Sequence, residues 1–355
     1  MRVLFLTQTG PEGASARYRV YAYLPHLAKA GIETEVWPLH TRAEGNPFSK
    51  ILGYSRQFLQ RWNEAGKAKN FDVIVLQRDL INHLAPTLEK KFARNGIPLV
   101  LDVDDAIHLR PPDKPAGLLA GLFGTKDKFA DLVPLVQRVL VGNEELVRVA
   151  MQRGAKRVFL LPTAIDFSRV GDLPPVREPG KKFVLGWIGS PGTLSYLETI
   201  REALEELGKT GNYLLRIVGA PALRLASLPC ESLPWSEKAE WDQIRSFDAG
   251  LMPLTDDPWS RCKCGTKLLQ YLACGVPSVG SPVGASVPIL NRGKAGILAS
   301  TKAEWMGALE TLRTDRALRL RLREAGRAHV EESYNVEKLA PALIEELRRA
   351  AALSP

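Results

Sequence analysis

Thiols, imidazoles and long apolar runs are what this chain has least of, and each shortage closes off a class of protein. Its 355 residues include four cysteines, Cys230, Cys262, Cys264 and Cys274. A C-x-C pair followed by a third cysteine invites a zinc reading. Zinc sites, however, usually space such pairs as C-x2-4-C, and the five histidines (His26, His40, His83, His108, His329) lie far away in sequence. Reduced thiols in a cytoplasmic protein are the simpler account. No apolar stretch reaches the roughly 18 residues that a membrane span needs. Residues 2–6 are apolar behind one arginine, but the run is too short for a signal peptide and lacks a small-residue cleavage site. The formal net charge of +9 favours anionic partners, yet no dense basic run of the nucleic-acid-binding kind is present.

What is present is an alternation. With 45% hydrophobic and 25% charged residues the composition is globular, and the length suits two domains. "RVLFLTQ" reads as a buried strand, followed by a glycine-containing loop and a helix near 16–29, with Ser15 as its N-cap and Gly31 as its stop. Strand-like runs recur at "TEVWPL", "DVIVLQR", "PLVLDV", "RVLVG" and "RVFLLP", with helical segments between them. "DLPPVREPGKK" (172–182) breaks the pattern with linker composition. The alternation then restarts: "FVLGWIG", a helix near 193–208, "YLLRIVG", a helix near 236–245, "FDAGLMPL", a helix on "TKLLQYLA", "VPSVG" and "AGILAS". Strands alternating with helices predict parallel, doubly wound sheets. The expected architecture is α/β, with two Rossmann-like domains (1–171 and 183–336) around a central cleft. The last helical pattern, within 337–355, is a candidate to return to the first domain. Ligands of such sheets sit beyond the carboxyl ends of the strands, which directs attention to the loops there.

Several residues stand out in those loops. "GWIGSPGT" (186–193) follows a strand and opens a helix, so Gly189, Ser190, Gly192 and Thr193 could present backbone amides to an anion; a tight turn is the plainer alternative. Lys267 and Gln270 lie one turn apart on a helix whose other side, Leu268, Leu269, Leu272 and Ala273, is apolar, with Lys263 just upstream. A lysine in the first turn of a covered helix faces the positive end of the helix dipole, and a bound diphosphate reconciles the two. A surface lysine laid along an apolar stem is the alternative. Arg17 and Arg19 open the first helix and pose the same question, with an anionic ligand, an acid of the other domain or plain exposure as answers. In "DVDDAIHL" the aspartates could bind a cation, take a proton or hold a hydroxyl; Asp102 reads as structural, and Asp104 could equally cap the next turn.

Taken together these segments resemble the family 4 glycosyltransferases of the GT-B fold. The resemblance is carried by "ASARYRVYAYLPHLAKAGIE", "LDVDD", "LVGNEELVRVA", "LLPTAID", "GWIGSPGTLSYL" and above all "FDAGLMPLTDDPWSRCKCGTKLLQYLACGVPSVGSPVG", and it spans nearly the whole chain. It implies transfer of a sugar from a nucleotide-diphosphate sugar to an acceptor hydroxyl on a glycan or lipid-linked acceptor, with retention at the anomeric carbon. The donor is expected on the second domain and the acceptor on the first. On this reading Gly189, Ser190, Gly192, Thr193, Lys263 and Lys267 hold the diphosphate, and Gln270 faces the ribose. Arg17 and Arg19 reach phosphate or acceptor, and Asp105 and His108 are the catalytic candidates. No metal and no cofactor is implied, nor any nucleic acid, and membrane contact is at most peripheral. The sequence departs from the family pattern where two glutamates are usual, since Gln270 takes the later position and Cys262 the earlier. Ser190 and Tyr196 stand near a usual Arg and Lys. A non-catalytic sugar-nucleotide-binding subunit and a sugar-nucleotide epimerase are the rival functions.

Overall fold

A computed structural model describes residues 1–40, 46–81, 84–110, 124–173, 178, 180–290 and 293–353. The chain forms two compact units. The first comprises Met1–Ala164, Cys262–Cys264 and Val336–Pro355, and the second comprises Ile165–Arg261 and Gly265–Asn335. Part of the expected linker, 174–177 and 179, lies outside the described residues.

Each unit is built on a six-stranded parallel sheet. The first holds β1 (Arg2–Thr7), β2 (Glu33–Pro38), β3 (Val73–Gln77), β4 (Leu99–Val103), β5 (Arg138–Val141) and β6 (Val158–Leu160). Their order is β2-β1-β3-β4-β5-β6. β3 and β4 are buried along their whole length, as strands covered on both faces must be, and their near-continuous Val, Ile and Leu follow from that. The second sheet holds β7 (Phe183–Ile188), β8 (Tyr213–Val218), β9 (Cys230–Leu233), β10 (Ala249–Met252), β11 (Ser278–Gly280) and β12 (Ile297–Leu298). Its order, β12-β11-β10-β7-β8-β9, reverses direction between β7 and β10; the first sheet reverses between β1 and β3. Such reversals are where open parallel sheets bind ligands, because neighbouring crossovers leave to opposite faces and open a crevice.

The C-terminal helix Val336–Ala351 belongs to the first unit. Val336, Ala340, Leu343, Leu347 and Ala350 share a core with Val3, Phe5, Val75 and Val100. The fold reading is thus correct in its α/β class, its two parallel sheets and the return of the last helix.

Several local expectations fail. The helix expected near 16–29 is broken into Ala14–Arg19, a 3-10 turn at Tyr21–Tyr23 and Leu24–Lys29, where Pro25 can only stand at a helix start; Arg17 and Arg19 therefore lie in the last turn of a short helix, where the dipole favours cations, and do not open a long one. The first helix is capped at Gly13, not Ser15: Ser15 sits inside the helix Ala14–Arg19 and its hydroxyl donates to Asp104 Oδ2. The helix expected at 193–208 is a 3-10 helix over Pro191–Ile200 and becomes α only at Arg201–Gly208. Gly192, Thr193 and Thr199 are weak helix formers, and they concentrate in the part that winds more tightly.

Candidate functional site

In the second unit the expected residues gather at the reversal between β7 and β10. β7 ends at Ile188, and the Gly189 amide still donates to the Val218 carbonyl at 3.0 Å, so the loop stays tied to β8. A Cβ at Gly189 would lie 2.8 Å from Lys267 Cε and 2.5 Å from Trp187 Cη2. Any larger residue here would have to displace the end of the lysine stem and the Trp187 ring. The Lys267 ammonium rests 5.2 Å from the centroid of the buried Trp187 ring, a cation–π distance. Ser190 leads into the 3-10 helix that holds Gly192 and Thr193, where the Thr193 amide donates to the Ser190 carbonyl at 3.0 Å. The Gly189 and Thr193 amides are thus committed to backbone carbonyls and, contrary to expectation, do not present to an anion; Ser190 and Gly192 are the candidates that remain.

Lys267 stands in the first turn of the helix Thr266–Ala273, which no side chain caps. Its N-cap is Gly265, at φ +67. A Cβ there would stand 2.3 Å from Ile289 Cδ1, so conformation and space both require glycine. The result is a helix start with its amides and its lysine at one spot, a place of positive potential. One turn on, Gln270 is buried, and its Nε2 donates to Glu240 Oε1 at 3.0 Å. The same oxygen accepts from Trp235 Nε1 at 3.1 Å. Glu240 is itself buried and fixes which way the Gln270 amide points. Lys263 is placed differently from the rest: residues 262–264 group with the first unit, where Asn143 Nδ2 donates to the Lys263 carbonyl at 3.1 Å.

In the first unit a charged network lies at the carboxyl ends of β3 and β4. Arg19 and Asp102 form a buried two-point ion pair, and Arg19 also donates to the Leu161 carbonyl. Arg17 is buried as well, its guanidinium 5.1 Å from the Tyr18 ring centroid and 3.4 Å from the Pro11 carbonyl. Neither arginine is the exposed cation that the plainer alternative allowed. Arg78 pairs with Asp104 at 2.5 Å and with Asp105 at 3.7 Å. Burial alone would raise the Asp104 carboxyl; Arg78, Arg19 and the Ser15 hydroxyl outweigh it and hold the group below its ordinary value. Gln77 Nε2 donates to Ser15 Oγ and completes the chain of contacts.

His108 lies 6.5 Å from the Phe129 ring, centroid to centroid. Its Nδ1 is buried and makes no hydrogen bond among the described residues. Burial, aided by the Arg153 charge, lowers its pKa to about 4, so the imidazole is neutral at neutral pH. Cys262 is a protonated thiol, pushed up to about 12 by burial.

Sequence reasoning missed Arg78 and Glu240. Arg78 is the non-glycine residue with positive φ among those described, at +65. Its amide still donates to the Asp102 carbonyl at 2.7 Å, which ties the strained residue to β4. Its place just past "VIVLQ", at a strand's carboxyl end, was the available signal. Glu240 stands 30 residues before Gln270. An acid and a tryptophan side by side in an expected helix gave no hint of that pairing.

Residues 201–345 match a family model described as glycosyl transferase-like. No curated protein matches the sequence. Solved structures share the fold at low identity. The Anabaena protein HepE in complex with UDP and glucose is 14% identical with a TM-score of 0.70, covering 98% of this chain and 100% of its own. A sucrose-phosphate synthase from Thermosynechococcus elongatus is 13% identical with a TM-score of 0.74, covering all of both chains. A glycosyltransferase from Rickettsia africae is 10% identical with a TM-score of 0.69, covering 99% of each. The architecture of two parallel six-stranded sheets with flanking helices is thus that of GT-B glycosyltransferase structures.

Proposed function

We propose that this protein is a retaining glycosyltransferase of the family 4 type, which moves a sugar from a nucleotide-diphosphate sugar to an acceptor hydroxyl. The observation that carries the reading is the placement of Lys267 at an uncapped helix start, its stem packed on Gly189, at the point where the second sheet reverses. The match of 201–345 to a glycosyl transferase-like model includes that helix. HepE, of the same fold, was crystallised with UDP-glucose as well as with UDP and glucose.

In the reaction the bond from the anomeric carbon to the diphosphate oxygen breaks, and a bond to the acceptor oxygen forms on the same face. Negative charge develops on the departing diphosphate. Lys267, the amides of Ser190 and Gly192 and those of the helix start meet it, which lowers the barrier because they are already oriented. Gln270, aimed by Glu240, takes the ribose. Glycan or lipid-linked acceptors bind the first unit, where Asp105 receives the acceptor proton and Arg17 attracts an anionic group. His108, neutral at working pH, orients the acceptor hydroxyl. Arg19 acts indirectly, as the residue that positions Asp102.

The reading is tested by thermal shift with UDP-, GDP-, ADP- and dTDP-sugars, followed by turnover with the best donor and proton NMR of the first product formed. Stabilisation by one nucleotide class, release of the nucleoside diphosphate and an unchanged anomeric configuration are expected. Inverted product would remove the retaining assignment. Binding without any release of nucleoside diphosphate would make the protein a sugar-nucleotide-binding subunit.

A further inference from the structure

The helix Pro47–Lys67 of the first unit is amphipathic with its faces reversed. Helical spacing places Phe48, Ile51, Leu52, Leu59 and Trp62 along one side, and all are exposed, Phe48 at 75% and Leu59 at 59%. The opposite side is buried and mixes small residues, Gly53 and Ala65, with the polar Gln57 and Arg61. Arg61, fully buried, donates to the carbonyls of Trp37 (2.9 Å) and Thr7 (2.6 Å), and Gln60 donates to the Pro38 carbonyl (2.8 Å). The helix is thus held to the ends of β1 and β2 by polar bonds, while its apolar stripe runs about 21 Å along the outside at 1.5 Å per residue.

Charge around the stripe has one sign. Within 46–70 and 84–96 the carboxylates are Glu64 and Glu89, and both turn inward, to Arg61 at 2.6 Å and to Lys128 at 2.9 Å. The exposed charges of the same segments include Arg56, Lys67, Lys69, Lys90 and Arg94. Lys91 Nζ stands 3.8 Å over the Trp62 ring, and both line a pocket of about 510 Å³ with Lys69, Lys90 and Arg94.

We propose that this face docks on an anionic lipid bilayer: the stripe enters the boundary between headgroups and acyl chains, and the basic rim meets lipid phosphates. An apolar face bordered by lysine and arginine, with a tryptophan at its edge, has the chemistry of an interfacial helix. Among the described residues no helix is long and apolar enough to cross a membrane, so the contact is peripheral. A second copy of the chain fits less well, because a two-fold contact would set the basic rim against itself. The proposal does not depend on the donor site.

The test is sedimentation of the full chain with vesicles of phosphatidylcholine alone, or with about one third phosphatidylglycerol. Anionic vesicles should carry down at least about tenfold more protein, and added salt should reduce the difference. Phe48→Ser/Leu59→Ser should abolish pelleting, and Lys90→Glu/Arg94→Glu should remove the preference for anionic lipid. Both variants replace exposed side chains, and unchanged circular dichroism and melting will show that they fold. Equal pelleting with neutral vesicles, or wild-type pelleting of either variant, overturns the proposal. So does a lipid-free dimer that Phe48→Ser/Leu59→Ser dissociates, which would make the face a contact between copies.

Discussion

At the carboxyl edge of the first sheet, charge is balanced by charge: Arg19 holds Asp102, and Arg78 holds Asp104 and Asp105. At the carboxyl edge of the second, backbone does most of the arranging. Gly189 and Gly265 clear space, a helix begins without a side-chain cap, and Lys267 lies over Trp187. A network neutralised from within gives up little on meeting a neutral hydroxyl and can hold it in a fixed direction. A lysine placed with helix-end amides sums positive potential and suits a ligand carrying several negative charges. The two edges share a topology and differ in electrostatics, and the proposed roles of donor and acceptor side rest on that difference.

The largest effect that would sharpen the comparison lies in the first unit. Asp102→Ala leaves Arg19 buried without its counter-ion and should cost about 3–5 kcal/mol of stability. Urea denaturation measures it, and an unchanged midpoint would mean that the pair is not what holds this edge together.

Lys267→Ala is the counterpart in the second unit. Turnover should fall about 10²-fold or more, close to 3 kcal/mol in barrier, while stability moves by no more than about 0.5 kcal/mol. Wild-type turnover in the purified variant would take Lys267 out of the site.

Acid should act on the first unit through His108. Its folded pKa, about 4, lies below the ordinary 6.5, so between those values the unfolded chain binds the extra proton. Stability tied to this group is therefore intact above about pH 6.5 and drains away as pH falls toward about 4, by roughly 2 to 3 kcal/mol. His108→Gln should flatten that part of the profile in denaturation series between neutral pH and about pH 4.5. Parallel slopes for variant and wild type would place the acid sensitivity elsewhere.

The smallest effect is conformational. Arg78→Ala and Arg78→Gly both delete the ion pairs, but only glycine is at ease at φ +65. The glycine variant should be the more stable of the two by about 1 kcal/mol, and equal melting temperatures would argue against strain at this residue.

Strands buried on both faces announce themselves as apolar runs, so β3, β4, β7 and β10 were legible. β9, with sequence CESL, was not: it is an edge strand with no buried residue, and its pairing with β8 supplies what its side chains do not signal. The same logic divides the site. Gly189 and Lys267 stand out because glycine and a lysine in an apolar helix are locally odd. Arg78, Glu240 and the hydroxyl of Ser15 matter through partners 26, 30 and 89 positions away, and nothing in their neighbours foretells those distances. The long helix at 47–67 is a third case. Its apolar spacing marks a stripe but not which way it faces; the bonds from Arg61 and Gln60 to strand carbonyls show that the other side faces in.

The return of the C-terminal helix to the first unit sets an order for biosynthesis. The core around Val3 and Phe5 is finished only by Val336, Leu343 and Leu347. The ribosome must therefore deliver the whole of the second unit before the first can close. At about 5–20 residues per second that wait is roughly 10 to 35 s. During it the apolar side chains of the first unit that Leu343 and Leu347 cover stay exposed to water.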